Sequence, residues 1–163
     1  MGSVLQNQLD GLSRLRDELP GLISATLSDA GSAVVQDLAS AAPRGQGGGG
    51  TPPEGDASGP LAESFSAVVE DSEGEAVLMV KTTQPTKLMY VTEGTGIYGP
   101  YGERIYPKVK KALYWEGAEH PVASVAGQEA NDFVSPITDE ADEEITDQVS
   151  EAIYEAMQEA ADS

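Results

Sequence analysis

The chain has 163 residues, no cysteine, one histidine, and 28 Asp and Glu against nine Lys and Arg, for a net charge of −19. That length suits one domain with a modest core, and the absence of thiols excludes disulfides and thiolate metal sites. Apolar runs too short to cross a membrane, no charged-then-apolar leader, and Gln6 where myristoylation needs Ser or Thr leave no membrane or secretory signal to expect.

Residues 4–42 read as a long helix, because Leu5, Leu9, Leu12, Leu15, Leu19, Ile23, Leu27, Ala30, Val34 and Leu38 recur at three- and four-residue steps. Pro20-Gly21 interrupts the stripe. Proline costs ~3 kcal/mol inside a helix but suits a first turn, so a kink or a second helix from about Pro20 is expected. Ala41-Ala42-Pro43 ends it. Residues 44–59, RGQGGGGTPPEGDASG, predict a flexible loop whose small and polar residues cannot offset their ordering entropy. Leu61–Val69 and Ala76–Lys81 flank Glu70–Gly74 as a hairpin, the second strand patterned for cover on both faces. Gln84–Val91 predicts a short helix starting after Pro85, ahead of a glycine-rich turn. Further strands are expected at Glu103–Tyr106, Lys110–Glu116 and Val122–Val125. From Pro136 the helical period returns, with Thr138 as N-cap and Asp139 and Glu140 favouring the helix dipole. The expected fold is a single α+β domain spanning residues 1–163. It has a long N-terminal helix kinked near Pro20, an antiparallel sheet with hairpins, a short helix, and an acidic amphipathic C-terminal helix.

Three readings compete for the charge. A disordered tail would concentrate it in an apolar-poor segment. A DNA mimic would gather it on one dense face. Adaptation to molar salt would spread it over the whole surface and thin out the lysines. Acids occur in nearly every block, and no Lys or Arg follows Leu113. At 1 M salt screening acts within ~3 Å, so such a surface hardly repels itself. The halophilic reading fits best.

Motifs for chemistry are weak. Gly94-Thr95-Gly96-Ile97-Tyr98-Gly99 has the letters of a dinucleotide fingerprint, but Pro100, Tyr101 and Gly102 follow where a phosphate-binding helix should open. A structural turn is the better reading. His120 stands alone, which suits neither a catalytic triad nor a histidine zinc site. Asp139–Glu144 lacks the glycine and spacing of a calcium loop. No catalytic, cofactor or metal residue is expected. Lys81, Lys87, Arg104, Lys108, Lys110 and Lys111 cluster, and Tyr98, Tyr101, Tyr106, Tyr114 and Trp115 interleave with them. Single-strand stacking is one use of such a set, a tyrosine-rich protein interface the better one. Candidate interface residues are Tyr98, Tyr101, Arg104, Lys108, Lys110, Lys111 and Trp115.

One resemblance runs through residues 41–134. Tyr90-Val91-Thr92-Glu93-Gly94-Thr95-Gly96-Ile97-Tyr98-Gly99 is followed by Pro107-Lys108, Lys111-Ala112-Leu113, Gly127 and Asn131-Asp132-Phe133. Upstream stand Ala42-Pro43 and Gly59-Pro60-Leu61 with Ser64. In order and spacing these pieces resemble the minor tail component, or tail-completion, family of long-tailed siphophages, the group that includes tail protein Z of phage lambda. The resemblance implies a virion subunit of the head–tail neck, without catalysis and without cofactor. Such a subunit is repeated in a ring between head connector and tail tube, and DNA passes through without sequence-specific binding. Its partners would be its own copies and the adjoining neck, connector and tail proteins, with assembly in the host cytoplasm. Glu93, Gly94, Thr95, Gly96 and Gly99 would form the structural turn, the Glu93 carboxylate accepting local backbone N–H bonds. The 44–59 loop and the helix ends would meet neighbours on assembly. The acidic composition adds a salt-loving, archaeal host. A tail terminator ring and an acidic DNA-mimicking regulator remain the alternatives.

The halophilic reading has a direct check. Dialysis from molar salt to ~10 mM, where screening reaches about 30 Å, should unfold or dissociate the protein. Circular dichroism that stays unchanged across that range would overturn it.

Overall fold

The computed structural model describes residues 2–44, 54–72, 74–114 and 119–162. Helix α1 (Gly2–Ala41) leads to a 3-10 turn (Leu61–Glu63) and then to strands β1 (Phe65–Ser72) and β2 (Glu75–Thr82). Helix α2 (Pro85–Glu93), a second 3-10 turn (Gly96–Tyr98) and helix α3 (Val134–Asp162) complete the order. The class is α+β, with β1 and β2 forming a two-stranded antiparallel sheet. The chain divides into two compact units. The first comprises Met1–Gln36, Ser66–Lys81 and Thr138–Ser163; the second comprises Asp37–Phe65 and Thr82–Ile137.

Helix α1 is one element that runs through Pro20, so the division into two helices does not occur. Proline removes a single N–H bond. Half-buried Leu15, Leu19, Leu22 and Ile23 carry the apolar stripe past it on both sides.

In the first unit, Leu27, Ala30 and Val34 of α1 are buried. Gly31 sits against the hairpin, where a Cβ would lie 2.6 Å from Leu78 Cδ1 and 2.9 Å from Ala67 Cβ. Ala67 and Val69 turn inward while Ser66, Val68 and Glu70 are exposed, the two-residue period of a half-covered strand. Ser24 Oγ donates to Asp71 Oδ2 at 2.7 Å and ties helix to strand. Cover on both faces of β2 does not materialise: Val77 and Val80 are 43% and 39% exposed, as a sheet of only two strands permits. Gly11 brings α1 close to α3, where a Cβ would stand 2.5 Å from the carbonyl oxygen of Ala160. Leu9 and Leu12 are each 59% exposed, so the stripe is fully buried only in its C-terminal half.

The second unit has its own core of Leu38, Ala42, Leu61, Val91 and Phe133. The rings of Phe65 and Phe133 meet edge to face, with centroids 6.4 Å apart. Ser64 is buried. Its hydroxyl donates to the Leu61 carbonyl at 2.7 Å and pairs with Thr82 Oγ1 at 2.7 Å, closing the base of the hairpin. The strands expected after residue 102 shrink to two isolated antiparallel bridges, Ile105 with Val125 and Leu113 with Val122. Pro107 has no N–H to give a ladder, and unequal spacing between the bridges prevents continuous pairing. Residues 115–118, which include the end of the strand expected at Lys110–Glu116, lie outside the described residues. Helix α3 begins at Val134, ahead of the expected Thr138 cap. Asp132 caps it instead: Oδ1 accepts the N–H of Ser135 at 3.1 Å and Oδ2 accepts its hydroxyl at 2.7 Å.

Two helical glycines should respond oppositely. Gly31→Val should lower stability by about 1–3 kcal/mol through overpacking against Ala67 and Leu78. Gly21, with nothing within 4 Å of the place a Cβ would occupy, should gain ~0.5–1 kcal/mol on change to Ala. Thermal melts of the two variants check both signs.

Candidate functional site

The residues singled out by the sequence gather in the second unit, around the turn that follows α2. Pro85 opens α2, but its preceding residue, Gln84, makes no side-chain cap. Asp56 supplies one from the glycine-rich segment, accepting the N–H groups of Thr86 at 3.0 Å and Lys87 at 2.8 Å. Gln84 is buried, and its amide donates to the carbonyls of Gly59 at 3.2 Å and Pro60 at 3.4 Å. Lys87 Nζ donates to Gly59 O at 2.8 Å and the Ala57 N–H reaches Thr83 O at 2.9 Å. Of the loop expected at 44–59, residues 45–53 lie outside the described residues, and Asp56–Gly59 is pinned over the start of α2.

Glu93 ends α2, and the turn then bonds to residues 126–131. Thr95 N–H donates to Gln128 O at 2.8 Å, Ile97 N–H to Ala126 O at 2.7 Å, and Asn131 N–H to Val91 O at 2.8 Å. Thr95 Oγ1 accepts the N–H of Gln128 at 2.9 Å. Gly96 (φ 64°) and Gly127 (φ 105°) face each other across this contact. A Cβ on Gly96 would overlap the Ala126 carbonyl, and one on Gly127 would overlap Thr95 O. Both positions therefore require glycine twice over, for backbone angle and for space. Gly94 is buried, and Gly99 packs under the Gly94 carbonyl with an ordinary negative φ. Among the described residues, no backbone N–H bond engages the Glu93 carboxylate, which is exposed, and the expected role passes to Thr95.

Beyond the turn the chain is pushed outward. Ile105 pairs with Val125 and Leu113 with Val122, so eight steps of chain on one side face three on the other. Residues 106–112 must bulge. Val109 is 96% exposed and Tyr101 91%, values that leave these side chains almost without intramolecular contact. Tyr98, Tyr106 and Tyr114 are also exposed, as are Lys108, Lys110 and Lys111. Arg104 Nε donates to Ser124 Oγ at 2.9 Å and steadies the base of the bulge. Among the described residues, none of the three lysines forms an ion pair. The structure thus brings together six of the seven candidate interface residues on one segment. Trp115 lies outside the described residues. Lys81 pairs with Glu70 at 3.8 Å, away from this cluster in the chain.

Sequence reasoning missed both aspartate caps. Asp132 had a local signal, the Asp-x-x-Ser spacing ahead of an apolar run. Asp56 had none, being some thirty residues from the helix it caps. Desolvation raises the Asp56 pKa, but the N–H bonds from Lys87 and Thr86 together outweigh it and hold the carboxyl below its ordinary value. The Asp132 carboxyl is also lowered, chiefly by the hydroxyl and N–H of Ser135.

Among the described residues, no three His, Asp or Glu side chains are grouped to hold a metal ion, and no helix is long and apolar enough to cross a membrane. The chain matches no family model, no curated protein and no solved structure.

Gly96→Val should cost several kcal/mol, the sum of a disfavoured backbone angle and overlap with a carbonyl, measured by chemical denaturation. The pH dependence of Asp56 has a definite sign. A carboxyl lowered in the folded state stabilises it above the unfolded aspartate pKa of about 4, and that stabilisation is lost as pH falls through the lowered value. Asp56→Asn should therefore melt lower than the natural chain at neutral pH. The gap should close once pH falls below the lowered Asp56 value, where both side chains are uncharged.

Proposed function

We propose that this chain is a structural subunit of a virion, placed in the head–tail neck as a tail-completion protein and assembled into a ring of its own copies. The bulge at 106–112 carries this reading. This segment projects tyrosines, valine and lysines outward from a closely bonded turn, a composition suited to contact with other subunits.

The order of pieces adds support. Ser64 and Gly59-Pro60-Leu61, resembling the opening of the family's first strand, secure the base of the hairpin and the start of α2. The Gly94–Gly99 turn shapes the site from which the basic segment departs. In this reading the subunit binds neighbouring neck, connector and tail proteins through its exposed aromatics. Its net charge suits a virus of a salt-loving host.

The test is location. Mass spectrometry of gradient-purified particles should find the polypeptide in stoichiometric amounts, and antibody labelling should mark the head–tail junction. A chain missing from particles, or one that inhibits a DNA-binding enzyme in solution, would replace this reading with the regulatory one.

A further inference from the structure

Among the described residues, Lys108, Lys110 and Lys111 of the bulge have no ion-pair partner, and another part of the molecule is short of cations. Helix α3 contains no Lys or Arg. Asp139, Glu143, Asp147 and Glu151 stand on it at successive four-residue steps, and all are exposed. Four-residue spacing stacks side chains one turn apart on a helix surface, so these like charges repel along a row about 18 Å long. Toward the C-terminus Tyr154 and Met157 are exposed as well, at 62% and 55%, beside the exposed Glu155 and Glu159.

We propose that the 106–112 bulge of one copy docks on this carboxylate row of α3 in a second copy. The inference rests on the reading of the chain as a self-assembling subunit and names the two surfaces that meet. Lys108, Lys110 and Lys111 would face the row, while Tyr106 and Val109 would cover Tyr154 and Met157. Each surface thus offers charge beside apolar area, in complementary sign. Because the two patches differ, the contact is heterologous: each copy uses its bulge on one neighbour and its helix for another. Such contacts propagate into a ring or a filament rather than stopping at a pair.

The net charge of −19 opposes any association of copies at low salt. Molar salt confines electrostatics to ~3 Å, which removes the general repulsion and leaves pairs in direct contact. Self-association should therefore strengthen as salt rises. Phosphate binding by the same lysines would weaken instead, because it depends on counterion release.

Two charge reversals in the full chain test this: Lys108→Glu/Lys110→Glu/Lys111→Glu in the bulge, and Glu143→Lys/Asp147→Lys/Glu151→Lys on α3. By sedimentation in molar salt, each alone should raise the dissociation constant at least about tenfold. An equimolar mixture should regain association, since each reversed patch then meets its complement. Wild-type association in either variant, or none in the mixture of folded variants, would overturn the proposal. Should a variant fail to fold, carbodiimide cross-linking of mixed light and heavy isotope-labelled natural chains gives a second reading. Cross-links between copies should join Lys108, Lys110 or Lys111 to the α3 row, and their absence would sink the proposal. Association through other surfaces would remove this contact and leave the architectural function standing. A chain that stays monomeric in molar salt and is missing from particles would remove both. Binding of a single-stranded oligonucleotide lost only in the bulge variant, with self-association intact, would assign the lysines to nucleic acid.

Discussion

The second unit depends on the backbone contact between the turn at 94–97 and the segment at 126–128. Two glycines with positive φ stand face to face there, and neither could carry a side chain without striking the other's neighbouring carbonyl. The N–H bonds from Thr95 and Ile97, with the Thr95 hydroxyl bond to Gln128, close the contact. Main-chain bonds held this closely leave little freedom for the residues on either side. The chain leaving the turn is then caught by two bridges at unequal spacing, and the surplus residues have only solvent to enter. Exposure of Tyr106 and Val109 follows from that geometry rather than from polarity.

Polar bonds do much of the fastening elsewhere in this unit. Asp56, Gln84 and Lys87 join the start of α2 to the segment before the hairpin, and Ser64 joins the hairpin's two ends. The apolar core they surround is small. In the first unit the close approaches come from small residues instead. Gly31 admits the hairpin to α1, and Gly11 admits the backbone of α3. Cores built this way are sensitive to added volume, because the neighbours have no slack to yield.

The charge distribution sets a second constraint. Four of the nine Lys and Arg lie between Arg104 and Lys111, while the charged side chains of α3 are carboxylates alone. Exposed ion pairs within the chain are few among the described residues and contribute little to its stability. Segregated charge of this kind costs self-repulsion in an isolated subunit and would favour the contact between copies proposed above.

Much of the architecture was legible in the residues. The helical period of Leu9–Leu38, the hairpin around Gly74 and the start signal at Pro85 act through neighbours in the chain, so local spacing reveals them. The need for glycine at Gly96 was legible for the same reason. Three features were decided only by tertiary contacts. Continuity of α1 through Pro20 is favoured by an apolar stripe that is partly buried on both sides, a gain no propensity contains. The Asp56 cap joins residues far apart in sequence, and nothing near either one announces it. The bulge arises because two strand-like segments meet with mismatched lengths, and that mismatch exists only once Val122 and Val125 have found Leu113 and Ile105. Periodicity and turn chemistry report what a residue does to its neighbours along the chain; pairing between distant segments is set by which backbones finally lie side by side.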